Sequence, residues 1–93
     1  MSRVNEETLQ LLRPLLVELR KVPGLTETKP GTFYVKRLPM LHFHQTPDSV
    51  VADLKCVLPA PGGFDRFDVH NETGRKKLLA ETQRRCRHLQ AGK

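Results

Sequence analysis

Met40-Leu41-His42-Phe43-His44, then Gln45-Thr46-Pro47-Asp48-Ser49, then Val50-Val51-Ala52-Asp53-Leu54-Lys55-Cys56-Val57-Leu58 is the run that decides the fold. Two segments rich in β-branched, aromatic and aliphatic residues flank the clearest turn signal in the chain. Side chains alternate across a strand, so each segment has two faces. In the second, Val50, Ala52, Leu54, Cys56 and Leu58 make a wholly apolar face, opposite Val51, Asp53, Lys55 and Val57. In the first, Leu41 and Phe43 are opposed to Met40, His42 and His44.

The turn narrows the register. A two-residue loop, Thr46-Pro47, requires positive φ that proline cannot adopt. A four-residue loop, Thr46 to Ser49, accommodates Pro47 at the favoured second position of a type I turn. With the apolar faces matched, this loop sets His42 opposite Asp53 and His44 opposite Val51. Working outward, Thr32 to Lys36 is a further strand, with Phe33 and Val35 inward and Tyr34 and Lys36 outward. Pro39 argues for a break between it and the next strand. A three-residue loop, Arg37 to Pro39, sets Tyr34 opposite His42. Phe64 to Val69 is a short fourth strand, whose Arg66 and Asp68 can join the same outer face. The predicted binding face is therefore Tyr34, Lys36, His42, His44, Asp53, Lys55 and Arg66.

Helices bracket these strands. Residues 5 to 22 carry leucines at positions 9, 12, 16 and 19, widened by Leu11 and Leu15, with Asn5 as N-cap and Glu6 and Glu7 in the first turn. Pro14 predicts a kink or a late start, and Pro23-Gly24 ends the helix. Residues 25 to 31 read as a linker, and 59 to 63 as a loop. Glu72 to Leu89 is the second helix, capped by Asn71 or Thr73, with Leu78, Leu79, Thr82, Cys86 and Leu89 on its apolar side. Gly74 weakens its first turn by about 1 kcal/mol relative to alanine. The order α-β-β-β-β-α, with short connections, predicts one two-layer α+β domain over residues 1–93. It has an antiparallel meander of three or four strands and both helices on one face.

Composition sets outer bounds. With 93 residues, 38% hydrophobic and 28% charged, the chain is globular rather than disordered. The net charge of +6 lies entirely from Arg75 onward, where seven cations face Glu81 alone. Two cysteines at apolar positions read as core thiols, not a disulfide framework. No signal-peptide pattern opens the chain and no run has transmembrane length, so a cytoplasmic protein without membrane contact is expected.

The leucine-rich first helix, the Pro-Gly break, the stretch TFYVKRLPMLHFH and then VVADLK resemble small uncharacterised bacterial proteins built around a Leu-His-Phe-His strand, over roughly residues 20 to 70. That resemblance implies a stand-alone bacterial domain and brings no assigned activity.

Three functional readings follow. The first is a non-enzymatic binding domain that meets a protein partner, a small anion or a second copy of the chain through the polar sheet face. The second is nucleic-acid binding through Arg75, Lys76, Lys77, Arg84, Arg85 and Arg87 on the basic helix, for which no groove-reading or stacking motif speaks. The third is an enzyme using His42, His44 and Asp53, through a metal ion or through acid–base chemistry with Tyr34. The residues suit either chemistry, but a fourth ligand and a nucleophile are both missing from the pattern. No catalytic residue, metal or cofactor is assigned on sequence grounds.

Overall fold

A computed structural model describes residues 5–56 and 63–91, the last two by their backbone alone. Helix α1 (Glu6–Arg20) starts where the Asn5 side chain accepts the Thr8 amide at 2.9 Å, a cap that stabilises by about 1 kcal/mol. The helix continues through Pro14. Proline removes the donor that would reach the Gln10 carbonyl. Both residues lie on the exposed side of α1, where water can satisfy that carbonyl. Leu12, Leu15, Leu16 and Leu19 are buried, whereas Leu11 points outward and is 45% exposed, against the expectation that it widens the core stripe.

Five strands follow, not four: β1 (Leu25–Lys29), β2 (Thr32–Val35), β3 (Leu38–Gln45), β4 (Val50–Lys55) and β5 (Phe64–Asp68). They form one antiparallel meander in the order β1-β2-β3-β4-β5. The additional strand is β1, where a linker was expected. It pairs with β2 through Leu25–Val35, Thr26–Tyr34 and Glu27–Phe33. Gly31 makes the tight connection, at φ 80° and with its amide bonded to Glu27. Arg20 of α1 clasps Glu27 at 2.6 Å, tying this edge strand to the helix. The guanidinium and the Gly31 amide hold the Glu27 carboxyl below its ordinary range, although its partial burial acts the other way.

The β2–β3 connection also departs from expectation. Val35 pairs with Leu38 across a two-residue loop, Lys36-Arg37, in which Lys36 takes φ 57°. Tyr34 then pairs with Pro39 and Phe33 with Leu41, so Met40 occupies a bulge. The bulge reverses the predicted orientation of Met40, which is fully buried beside Leu41 rather than outward with the histidines. It also admits Pro39 to an interior strand, where a regular ladder position would reject it.

The β3–β4 hairpin has the register read from the turn. His42 pairs with Asp53, His44 with Val51, and Gln45 with Val50. Thr46 and Ser49 close the loop through three hydrogen bonds of 2.8–3.0 Å. The Gln45 side chain accepts from the Asn5 amide and the Thr8 hydroxyl, docking the hairpin end on the start of α1. Residues 57 to 62, including the predicted Val57-Leu58 end of β4 and most of the following loop, lie outside the described residues.

Helix α2 (Glu72–Ala91) opens on Asn71, whose side chain accepts the Gly74 amide at 2.7 Å. Both helices cover the inner face, where Leu12, Leu19, Phe33, Met40, Leu41, Leu54, Leu78, Val69 and Cys86 are all at most 1% exposed. Gly74 is more than a weak helix former. A Cβ there would sit 1.6 Å from the Asp68 carbonyl oxygen. The glycine lets the first turn of α2 close onto the end of β5.

Two substitutions test this packing by urea denaturation. Gly74→Ala lowers stability by about 1–3 kcal/mol, because the backbone clash outweighs alanine's helix preference. Lys36→Gly raises stability by about 1 kcal/mol, by removing a side chain from left-handed backbone. A stabilised Gly74→Ala, or a destabilised Lys36→Gly, contradicts these assignments.

Candidate functional site

The outer face of the sheet carries a cross-strand row: Thr32 pairs with His42, His42 with Asp53, and Asp53 with Arg66. Asp53 is its centre. Its side chain is 12% exposed although it lies on the face turned away from the helices. Three neighbours cover it. Arg66 is bidentate, with Nε donating to Oδ1 at 2.9 Å and a terminal amine donating to Oδ2 at 3.1 Å. His44 Nε2 lies 3.1 Å, and His42 Nε2 3.5 Å, from the same Oδ2. The two imidazoles meet edge to face, with ring centroids 4.5 Å apart.

Strand geometry explains the convergence. His42 and His44 stand two residues apart and so share a face. Directly opposed residues on neighbouring strands bring their Cβ atoms within about 5.5 Å, which lets the shorter Asp53 lie between longer neighbours. Phe64 of β5 walls one side, with its ring 5.3 Å from that of His42 and the Lys55 ammonium 5.3 Å above it.

The electrostatics follow from these contacts. The Arg66 hydrogen bonds hold the Asp53 carboxyl below the ordinary aspartate range, reinforced by the nearby imidazoles and opposed by partial burial. Partial burial lowers the His42 pKa, and the His44 charge lowers it further, which Asp53 only partly offsets. The centre is thus an ionised carboxylate under a guanidinium, with a neutral imidazole favoured at His42.

The other predicted face residues lie outside this centre. Tyr34 pairs with Pro39, because the bulge gives Thr32 the place opposite His42. Lys36 sits in the β2–β3 loop. Asp68 accepts from Ser49 and the His70 amide, away from Asp53. Thr32 and Phe64 were not singled out from sequence. For Phe64 the signal was available, since it alternates with Arg66 on β5.

The basic helix divides. Lys76, Lys77, Arg84 and Arg87 are exposed. Arg84 pairs with Glu81 at 2.7 Å and Lys76 with Glu72 at 3.7 Å. Arg75 caps the Val69 and His70 carbonyls. Arg85 turns inward, only 9% exposed, and bonds Asp65, Glu81 and the Lys55 carbonyl. It joins α2 to the β4–β5 pair, so its predicted place on a nucleic-acid contact surface is corrected to a structural clamp. Cys86 is buried and its thiol is pushed up to about 11 by desolvation; Cys56 is half-buried, and both are free. Among the described residues, no helix is long and apolar enough to cross a membrane.

Comparison of the chain with protein-family models, curated proteins and solved structures gave no match.

Asp53 supplies a pH test. Its folded pKa lies below the unfolded value of 3.8, so its contribution is fully present above that value and lost as pH falls through the folded one. Asp53→Asn should lower the melting temperature at pH 7, and the gap from wild type should shrink below about pH 4. A gap that widens on acidification contradicts the assignment.

Proposed function

We propose that this protein is a non-enzymatic binding domain whose working surface is the outer sheet face centred on Asp53. One observation carries the reading: three basic side chains from the two strands that flank β4 converge on one largely buried carboxylate, on the side of the sheet turned away from α1 and α2. Fully solvated sheet faces spread their charges over water. Here they are gathered into a constellation with a defined shape, and its Arg66 side chain is 63% exposed. Tyr34 stands off the centre, which weakens the acid–base alternative. A reducing, cytoplasmic setting suits the two free thiols.

Nucleic-acid binding through α2 is the weaker reading. Arg85 is engaged inside the fold, and Glu72 and Glu81 pair with two of the exposed cations.

Amide chemical shifts of labelled protein, titrated with small carboxylates, inorganic phosphate and divalent cations, test the proposal. The expected shifts concentrate on His42, His44, Asp53 and Arg66 and disappear in an Arg66→Ala/His42→Ala double variant. A DNA oligomer that moves Lys77, Arg84 and Arg87, with affinity falling steeply in salt, would place binding on the helix and overturn the proposal.

A further inference from the structure

The outer-face reading leaves the ligand unnamed, and the following inference rests on that reading. We propose that His42, His44 and Asp53 form a three-ligand site for a divalent transition-metal ion of the zinc type, with Arg66 as the cation that holds the carboxylate until the ion enters. The donor set, two imidazole nitrogens and one carboxylate oxygen, suits Zn²⁺, Co²⁺ and Ni²⁺.

The geometry supports it atom by atom. Both imidazoles bring Nε2 close to the same oxygen, Asp53 Oδ2, at 3.1 and 3.5 Å. Zinc bonds of about 2.0–2.1 Å at a tetrahedral angle set neighbouring ligand atoms about 3.3 Å apart. Two edges of the ligand triangle therefore already have the required length. The three residues each offer a ligand atom within 4.8 Å of the others', so closing the triangle calls for a movement on the ångström scale. Rotation of side chains at i and i+2 on one strand supplies such a movement. The backbone partners are already in register on β3 and β4.

Arg66 fits a second role. Its Nε bond to Oδ1, at 2.9 Å, can persist and orient the ligating carboxylate, as outer hydrogen bonds do around protein-bound metals. Only the second bond, to Oδ2 at 3.1 Å, has to be released. The exposed guanidinium can make that movement into water. The ion would face solvent with its remaining coordination open to water or a small ligand, the arrangement of an accessible rather than a closed structural site.

The test is calorimetric titration of tag-free, chelator-treated full-length protein with ZnCl₂, followed by Co²⁺ absorption spectra. Wild type should bind one equivalent. His42→Ala, and separately His44→Gln, should weaken it by roughly a hundredfold or more, since even outer-shell changes cost ~10–100-fold. Arg66→Gln keeps an amide donor for Asp53 Oδ1 while removing the competing positive charge, and should tighten binding about tenfold. Circular dichroism confirms that each variant is folded. Absence of uptake by both wild type and Arg66→Gln overturns the proposal, as does uptake that His42→Ala and His44→Gln leave unchanged. If metal fails while phosphate or carboxylates still shift His42 and Arg66, the binding face stands without its metal. If no solute moves that face, both readings fall.

Discussion

The register of the β3–β4 hairpin is the constraint on which the remaining structure rests. Thr46 and Ser49 close a four-residue loop, and that loop places His42 across from Asp53. Because side chains alternate, a slip of one residue would drive Asp53 toward the core and expose Leu54 and Ala52. Burial of that apolar face against both helices resists such a slip, since each large aliphatic side chain contributes about 1.5–3 kcal/mol when removed from water. The hairpin end is also fastened through Gln45 to the start of α1. Core and outer face are thus two consequences of one pairing.

On the outer face, an aspartate with little access to water needs partners, because an isolated carboxylate is costly to desolvate. Arg66 meets that need from β5 and the histidines from β3. The arrangement differs from the surface ion pairs elsewhere in the molecule, such as Lys21–Glu18, which are exposed on both sides and contribute little. It also differs from Arg85, whose bonds to Asp65, Glu81 and the Lys55 carbonyl serve to fasten a helix to a sheet. Chemically similar arginines therefore do different work: Arg66 can leave its partner for water, whereas Arg85 is enclosed.

Much of this was legible in the residues. Turn chemistry and face-matching locate the β3–β4 register and hence the His42–Asp53 juxtaposition. The alternation of β5 offers Arg66 to the same face. Other features depend on tertiary context. Leu25-Thr26-Glu27-Thr28-Lys29 has the polarity of a linker, and becomes an edge strand because Arg20 and β2 hold it there. Met40 breaks alternation because a bulge lets two neighbouring apolar residues enter the core, and the same bulge removes Tyr34 from His42. Helical spacing places Arg85 close to the apolar side, but its carboxylate and carbonyl partners are visible only in three dimensions. Gly74 looked like a weakness in a helix; the nearby Asp68 carbonyl makes it a requirement.

Whether Asp53 is the charged centre of the outer face is decided by a carboxyl ¹³C NMR titration of Asp53 in the metal-free protein. The expected midpoint lies below the ordinary aspartate value of 3.8 and moves back toward it in Arg66→Gln. A midpoint at or above 3.8 in the wild type, or one indifferent to Arg66, would contradict it.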